Sequence, residues 1–230
     1  VEAINNLKLR ASYGSVGNRP HEYYPHYELY ALATGDKTNP KPNSYNGTPA
    51  AYITQLANAD LGWEKSYVAG VGLDVSFLNR VNVTLDYYHK KTSDLLYKVP
   101  LPGVTGVTDI WRNEGEMTNK GFEANVSVDI INNKDWYWNF ETNIGFNKNE
   151  VTKLYGENSR IIVGDGSGIA GSASKIVTPG KDADTWYLPE WAGVDPTNGS
   201  PLWYKTDASG NRVTTSKYSE ADQVAIGKYT

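Results

Sequence analysis

The sequence contains no cysteine and no long hydrophobic run. Without cysteine the chain cannot form disulfide bonds, thiolate zinc sites or a cysteine nucleophile. No window approaches the ~18 consecutive apolar residues that a membrane-spanning helix needs, so a helical membrane protein is excluded. Positive charge does not predominate, because 22 scattered Lys and Arg stand against 26 Asp and Glu, for a net charge of -4. The sequence therefore argues against a basic surface for nucleic acid.

Phenylalanine is rare compared with the other aromatic residues. The chain has 4 Phe but 17 Tyr and 7 Trp. Tyr and Trp combine an apolar ring with a polar tip, so an excess of them predicts surfaces that are half wet and half apolar. Membrane interfaces and sugar-binding sites are two surfaces of this kind.

No motif for catalysis, a cofactor or a metal ion fits its local sequence. Residues 166–171 match the glycine spacing of a dinucleotide-binding loop, but no amphipathic helix follows them. Residues 21–26 approach the spacing of a zinc-binding helix, but they are one residue too long and include Pro25. Residues 195–199 offer oxygen ligands for calcium, yet Asp-Pro and Asn-Gly are turn dipeptides. We therefore predict no catalytic residue, no metal site and no cofactor.

Alternation of apolar and polar residues is the dominant pattern in the chain. It predicts five strands of one type, near residues 7–13, 65–77, 81–97, 116–131 and 136–153. Short turns are predicted at 78–80 and 132–135, and long loops at 14–64, 98–115 and 154–230. Within the last loop, residues 202–215 are predicted to form a β-hairpin.

Three features favour a transmembrane barrel over the half-exposed sheet of a soluble protein. The runs 67–77 and 136–146 are each eleven residues long. At ~3.3 Å per residue and a tilt of ~45° they rise roughly 25 Å, the height of an outer-membrane apolar band. Aromatic residues lie near the ends of the apolar stripes, where bilayer interfaces lie. Short turns and long loops would fall at opposite rims, as periplasmic turns and extracellular loops do.

The predicted fold is therefore all-β. It is an antiparallel up-and-down meander forming part of a large transmembrane β-barrel, with long extracellular loops. Five strands cannot close a barrel, and an open edge in lipid leaves backbone groups unpaired. We therefore treat residues 1–230 as a fragment of one β-barrel domain and expect the chain to be a piece of something longer.

Two sets of side chains are candidates for binding. Polar residues opposite the apolar stripes are predicted to face the lumen: Asp74, Asp86, Glu123, Asp129, Asn139, Glu141, Asn143 and Asn147. Aromatic residues in the loops could stack on sugars or on a partner protein, and the alternative for each is packing between loops. The loop candidates are Trp111, Trp186, Trp191, Trp203 and Tyr204, with further rings at Tyr23, Tyr24, Tyr27, Tyr30, Tyr45, Tyr52 and Tyr187.

Seven segments keep a distinctive order along nearly the whole chain. They are LKLRASYG (7–14), LGWEKS (61–66), DYYHKKTSDLL (86–96), PLP (100–102), NEGEMTNKGFE (113–123), NKNEV (147–151) and WAGVDPTNG (191–199). In this order and spacing they resemble the SusC/RagA family of TonB-dependent outer-membrane transporters.

The resemblance implies a large barrel plugged by an N-terminal domain. Such a barrel sits as a multi-pass protein in the outer-membrane lipid of a Gram-negative cell and imports oligosaccharide fragments or peptides with energy from TonB. It also implies a SusD-like surface lipoprotein that caps the extracellular mouth. The plug and the residues that couple to TonB belong to regions absent from this chain.

Two other classes of protein remain as alternatives. The first is a soluble, secreted carbohydrate-binding β-domain, in which the apolar stripe would be a core face. The second, which is weaker, is a secreted glycosidase with a carboxylate pair such as Glu114 and Glu116.

Overall fold

A computed structural model of the chain describes residues 3–32, 44–45, 48–156, 160–164 and 174–228. The described part contains sixteen strands and two short 3-10 helices, Gly103–Thr105 and Tyr218–Glu220. The strands are β1 Ile4–Asn18, β2 Leu29–Leu32, β3 Ser44–Tyr45, β4 Thr48–Pro49, β5 Ala51–Gln55, β6 Glu64–Phe77, β7 Val81–Pro100, β8 Asp109–Asn132, β9 Tyr137–Lys153, β10 Ile161–Val163, β11 Ser174–Val177, β12 Thr185–Pro189, β13 Trp191–Val194, β14 Pro201–Thr206, β15 Arg212–Thr215 and β16 Gln223–Lys228. Among these residues, no helix is long and apolar enough to cross a membrane.

The five long strands form one sheet in the order β1-β6-β7-β8-β9, which we call the main sheet. The pairings of β1 with β6 and of β6 with β7 are antiparallel, and they place Leu9, Leu73 and Leu85 in one row. The predicted antiparallel up-and-down meander is therefore confirmed. The turn after β6 is tight because Leu78 and Asn79 both adopt positive φ angles, of 51° and 53°. The side chain of Asn5 closes this turn, because its Oδ1 accepts the Asn79 N–H at 2.6 Å.

The loops differ from their predicted extents. The predicted loop at 98–115 is shorter in the structure, because β7 continues to Pro100 and β8 begins at Asp109. These strand ends carry charged residues that form an ion pair between strands, Lys98 with Asp109 at 4.0 Å. Apolar alternation stops there while strand pairing continues, so the sequence pattern ends before the strands do.

The segments predicted as loops at 14–64 and 154–230 also contain strands. The first includes the end of β1 and the short strands β2 to β5, and the second holds β10 to β16. These strands are two to six residues long, too short to show clear alternation. The hairpin predicted at 202–215 is confirmed, since β14 pairs with β15 from Trp203 opposite Thr215 to Thr206 opposite Arg212. The glycine-rich residues 166–171 lie outside the described residues.

The chain divides into two compact units. Unit 1 comprises residues 1–117 and 122–145, and unit 2 comprises 118–121 and 146–230. Besides its part of the main sheet, unit 1 contains the two-stranded pairs β2-β5 and β3-β4. Unit 2 contains a four-stranded sheet, β10-β11-β12-β16, and a three-stranded sheet, β13-β14-β15. The assignment of 1–230 to a single barrel domain stays a prediction.

Much of the apolar stripe of the main sheet is exposed, although Leu73 is half-buried and Val75 is buried. Leu9 is 75% exposed, Val71 53% and Trp138 56%. Buried hydrophobic side chains in the described part are few, namely Val75, Val99, Val107, Val151, Leu154 and Ile176. An exposed apolar surface of this extent marks a site that meets a membrane or a protein partner.

Candidate functional site

The polar face of the main sheet carries a cluster that joins its first three strands. Arg10 on β1 donates from Nε and Nη2 to the two carboxylate oxygens of Asp74 on β6, at 3.0 and 3.1 Å. The same Nη2 lies 2.9 Å from a carboxylate oxygen of Asp86 on β7. One guanidinium therefore binds two carboxylates on successive strands, which leaves the cluster with a net negative charge.

A glycine makes this cluster possible. Arg10 lies opposite Gly72 on β6, and Gly72 lies opposite Asp86 on β7. A Cβ atom on Gly72 would fall 2.7 Å from the Arg10 Cζ atom and would also collide with the Asp86 carboxylate. The missing side chain is what allows Arg10 to reach across β6. Asp74 and Asp86 are predicted from the alternation of the strands, whereas Arg10 and Gly72 are not, because their role depends on strand register.

The polar face continues onto β8 and β9 as a hydrogen-bonded row. Asp129 accepts hydrogen bonds from Asn139 Nδ2 at 2.8 Å and from the Tyr137 hydroxyl at 2.9 Å. The Asn139 amide also donates to Ser127 Oγ at 3.1 Å. Two residues further along each strand, Asn125 Nδ2 donates to a carboxylate oxygen of Glu141 at 3.3 Å. These polar side chains are thus held by cross-strand partners.

Three of the predicted lumen candidates line one cavity of about 350 Å³ in unit 1. They are Asp86, Glu123 and Asn143, with Thr84 and Asn125 beside them. Carboxylate, amide and hydroxyl groups in this cavity can hydrogen-bond a polar solute. Asn147 lies apart from them, in unit 2, where it lines a second cavity of about 380 Å³ with Asn149 and Glu150. The described residues hold no group of three or more His, Asp or Glu side chains placed to bind a metal ion.

Two of the loop candidates belong to an aromatic cluster in unit 2. The Trp203 ring meets the Trp191 ring edge-on, with centroids 5.9 Å apart and planes at 80°. Tyr218 packs edge-on against Trp203 from the following 3-10 helix, at 5.3 Å and 87°. Trp191 is 55% exposed, whereas Trp203 and Tyr218 are half-buried. Trp203 is therefore held on two sides, while Trp191 presents its ring to solvent.

The two remaining unit 2 candidates are engaged by cations. The Arg212 guanidinium stacks 3.7 Å above the Tyr204 ring and forms an ion pair with Glu190 at 2.7 Å. Lys175 lies 5.7 Å from the centre of the Trp186 ring. A ring covered by a cation presents one face fewer to a ligand.

Charged groups fix the segment that covers the aromatic cluster. Glu220 forms ion pairs with Lys217 at 2.9 Å and with Lys205 at 3.0 Å. The hydrogen bond from Lys217, followed by that from Lys205, lowers the pKa of Glu220 to about 2. At the tip of the β14–β15 hairpin, Asp207 accepts the backbone N–H of Asn211 at 2.9 Å, and this bond lowers the pKa of Asp207. Both carboxylates are thus charged and held at neutral pH.

The last loop candidate, Trp111, lies in unit 1 and joins two segments. Its Nε1 donates to Glu22 at 2.8 Å, and Lys98 forms an ion pair with the same carboxylate at 3.1 Å. These two partners, Trp111 first, lower the pKa of Glu22. Asn58 Nδ2 donates to the Trp111 carbonyl at 2.8 Å. The indole N–H of Trp111 is therefore used within the protein.

Comparison with known proteins agrees with this architecture. Residues 2–230 match the family model described as TonB dependent receptor-like, beta-barrel. The TonB-dependent receptor SusC of Bacteroides thetaiotaomicron is 32% identical over 211 residues, which cover 88% of this chain and 20% of that protein. The TonB-dependent receptor P3 of Formosa agariphila is 34% identical over 246 residues, covering 99% of this chain and 23% of the relative.

A solved structure is similar as well. The structure of the RagAB peptide transporter matches with a TM-score of 0.76 and 32% identity over 98% of this chain, and 24% of the matched chain is covered. The chain thus spans about a fifth of the length of the relatives SusC and P3. This chain belongs to the TonB dependent receptor-like β-barrel family and is a segment of a SusC/RagA-type barrel.

Proposed function

We propose that the protein to which this segment belongs imports a nutrient across the outer membrane of a Gram-negative cell, driven through TonB. The observation that carries the proposal is the contrast between the two faces of the main sheet. One face exposes Leu9, Val71 and Trp138, and the other is tied together by charged and amide side chains. A barrel wall needs this arrangement, because its outer face meets lipid and its inner face meets water.

In this proposal the predicted candidates take two positions. The polar face of the main sheet faces the lumen and meets the solute on its passage. It includes Asp86, Glu123, Asn139, Glu141 and Asn143. The long segments between the strands face outside, with the tight turn at 78–80 at the periplasmic end. Trp191, the exposed member of the aromatic cluster, is then available at the outer surface.

The proposed partner is a SusD-like surface lipoprotein that closes the outer mouth, and the proposed substrates are glycan fragments or peptides. The peptide class is supported by a structural relative, since RagAB is described as a peptide transporter. The glycan class rests on the family resemblance of the sequence. The plug and the TonB-coupling region would come from parts of the protein outside this segment.

Deletion of the gene for the full-length protein tests the proposal. The deletion strain should fail to grow on at least one oligosaccharide or peptide as sole nutrient, and the wild-type gene should restore growth. Growth on a monosaccharide is the control, because its small size needs no dedicated transporter. Fractionation of the full-length protein into the periplasm, or unchanged uptake of every oligosaccharide and peptide tested, would contradict it.

A further inference from the structure

A further cavity in unit 1 lies beside the contact of Glu22 with Trp111 and Lys98. It has a volume of about 340 Å³. It lies where β1 ends and β6 begins, at the opposite end of β6 from the tight turn that joins β6 to β7. Residues 19–26 form one wall and residues 61–63 form the other. Its lining mixes rings with charged groups: Arg19, Glu22, Tyr23, Tyr24, His26 and Trp63.

Trp63 provides a fixed, flat surface on one wall. Its ring lies against the backbone of Gly17 on β1, so that a Cβ atom on Gly17 would fall 2.8 Å from the Trp63 Cε3 atom. The side chain is nevertheless 61% exposed. Part of the indole therefore lies against the sheet while much of the ring remains open to a ligand.

Side-chain hydrogen bonds to the backbone hold both walls in place. Gln55 Nε2 donates to the carbonyls of Tyr24 at 3.0 Å and Tyr27 at 2.9 Å. Asn113 accepts the Gly62 N–H at 2.7 Å and donates to the Gly62 carbonyl at 3.0 Å. The cavity is thus preorganised, which reduces the entropy lost when a ligand binds.

The unpaired charge in this cavity is positive. The one carboxylate in the lining, Glu22, is already neutralised by Lys98 and hydrogen-bonded by Trp111. Arg19 has no ion pair or hydrogen bond with any residue in the described ranges, and neither has the indole N–H of Trp63. The free groups of the lining are therefore a guanidinium, an indole N–H and several rings.

We infer that this cavity binds an acidic saccharide, with a sugar carboxylate on Arg19 and a sugar ring on Trp63. A pyranose has a flat apolar face and a polar rim, which matches an open indole beside a charged donor. The inference rests on the proposed function, because it names the substrate class of the importer.

An extended peptide fits the cavity less well. Peptides that bind as strands need free backbone groups to pair with. Here the Tyr24, Tyr27 and Gly62 carbonyls and the Gly62 N–H already bond to Gln55 or Asn113, and the His26 carbonyl accepts the Asn58 N–H at 3.1 Å. A saccharide makes no such demand, since its hydroxyls and carboxylate can bond to side chains.

The test is calorimetric titration of the full-length protein in detergent with tetragalacturonate and with its methyl ester, a probe matched in shape but uncharged. Tetragalacturonate should bind about tenfold more tightly than the ester, and Arg19→Gln should abolish that difference. Trp63→Ala should weaken the binding of both probes. Arg80→Gln, which removes a cation from the turn after β6, is the matched control and should change neither affinity.

Several outcomes would overturn the inference. These are no binding of tetragalacturonate, equal binding of acid and ester, or an unchanged acid preference in Arg19→Gln. Tetraglutamate binding that equals tetragalacturonate binding and is lost in Arg19→Gln would assign the cavity to acidic peptides instead. Thermal unfolding verifies that each variant is folded, and Trp63→Phe replaces Trp63→Ala if the latter is not. The growth test with the deletion strain bears on the proposed function alone, whereas the titrations bear on the cavity. A failure of the inference can therefore be distinguished from a failure of the proposed function.

Discussion

Aromatic side chains lie in two different settings in the main sheet and in the β13–β15 sheet. In the main sheet, Trp138 and Phe146 are exposed and contact no other ring within the described residues. In the β13–β15 sheet, Trp203 packs edge-on against both Trp191 and Tyr218. Aromatic residues thus either form an exposed apolar surface or pack against one another in a small cluster. The comparison shows that the neighbours of an aromatic ring, rather than its abundance in the sequence, indicate its role.

The largest effect is expected from a charge on the apolar stripe of the main sheet. Leu73→Arg in the full-length protein should cost roughly 2–4 kcal/mol of folding free energy in bilayers, the penalty for a lipid-facing cation at the midplane. Asp74→Asn, on the opposite face of the same strand, should cost less because that position keeps access to water and Arg10 retains Asp86. Equal losses of folding free energy in the two variants would contradict the assignment of one face of β6 to lipid and the other to water.

The next effect separates the two settings of tryptophan. Trp203→Ala should destabilise the full-length protein by about 1–3 kcal/mol, because it removes two aromatic pairs. Trp138→Ala should cost less, since acyl chains fill the space that the ring leaves. Unfolding of both variants in bilayers measures the difference. A Trp138→Ala cost as large as that of Leu73→Arg would contradict the assignment of this stripe to lipid.

A smaller effect is expected at the glycine beneath the Arg10 cluster. Gly72→Ala should cost about 1–2 kcal/mol, because the added methyl group forces Arg10 and Asp86 apart. Gly14→Ala on β1 is the control, since nothing lies within 4 Å of the position its Cβ would take. Urea unfolding of the two variants tests this, and an equal loss in both would show that the Arg10–Asp86 contact contributes nothing.

The smallest effect is expected from acid, which should loosen the segment 217–220 that packs on the aromatic cluster. The pKa of Glu220 is lowered from 4.5 to about 2, so its ion pairs stabilise the fold fully above pH 4.5. That contribution is lost as the pH falls through about 2. Pepsin cleavage beside Tyr218, compared with cleavage of Glu220→Gln at the same pH, should therefore increase as the pH falls from 4.5 to 2 in the wild type. Glu220→Gln should be susceptible at every pH, and a wild-type rate that, relative to this variant, is independent of pH would count against the ion pairs.

Alternation made the main sheet predictable from sequence, because a period of two can be counted directly along each strand. It also placed Asp86, Glu123 and Asn143 on the polar faces, although only the structure brings them to one cavity. Apart from the β14–β15 hairpin, the short strands of unit 2 were missed because they are too short to show alternation. Some of them also pair with distant partners, as β12 does with β16. Arg19 was missed for a similar reason, since its significance depends on which other charges are already paired.

Gly72 has a consequence for how the first three strands find their alignment. A slip of one residue between β1 and β6 would turn Arg10 to the apolar face. A slip of two residues would place it opposite Asp74, away from the open space at Gly72, or opposite Gly70, where the next residue across is Tyr88 and not a carboxylate. Of these alignments, only the native one offers the guanidinium a gap and a second acid beyond it. The cluster therefore favours the native register of the first three strands over these shifted ones.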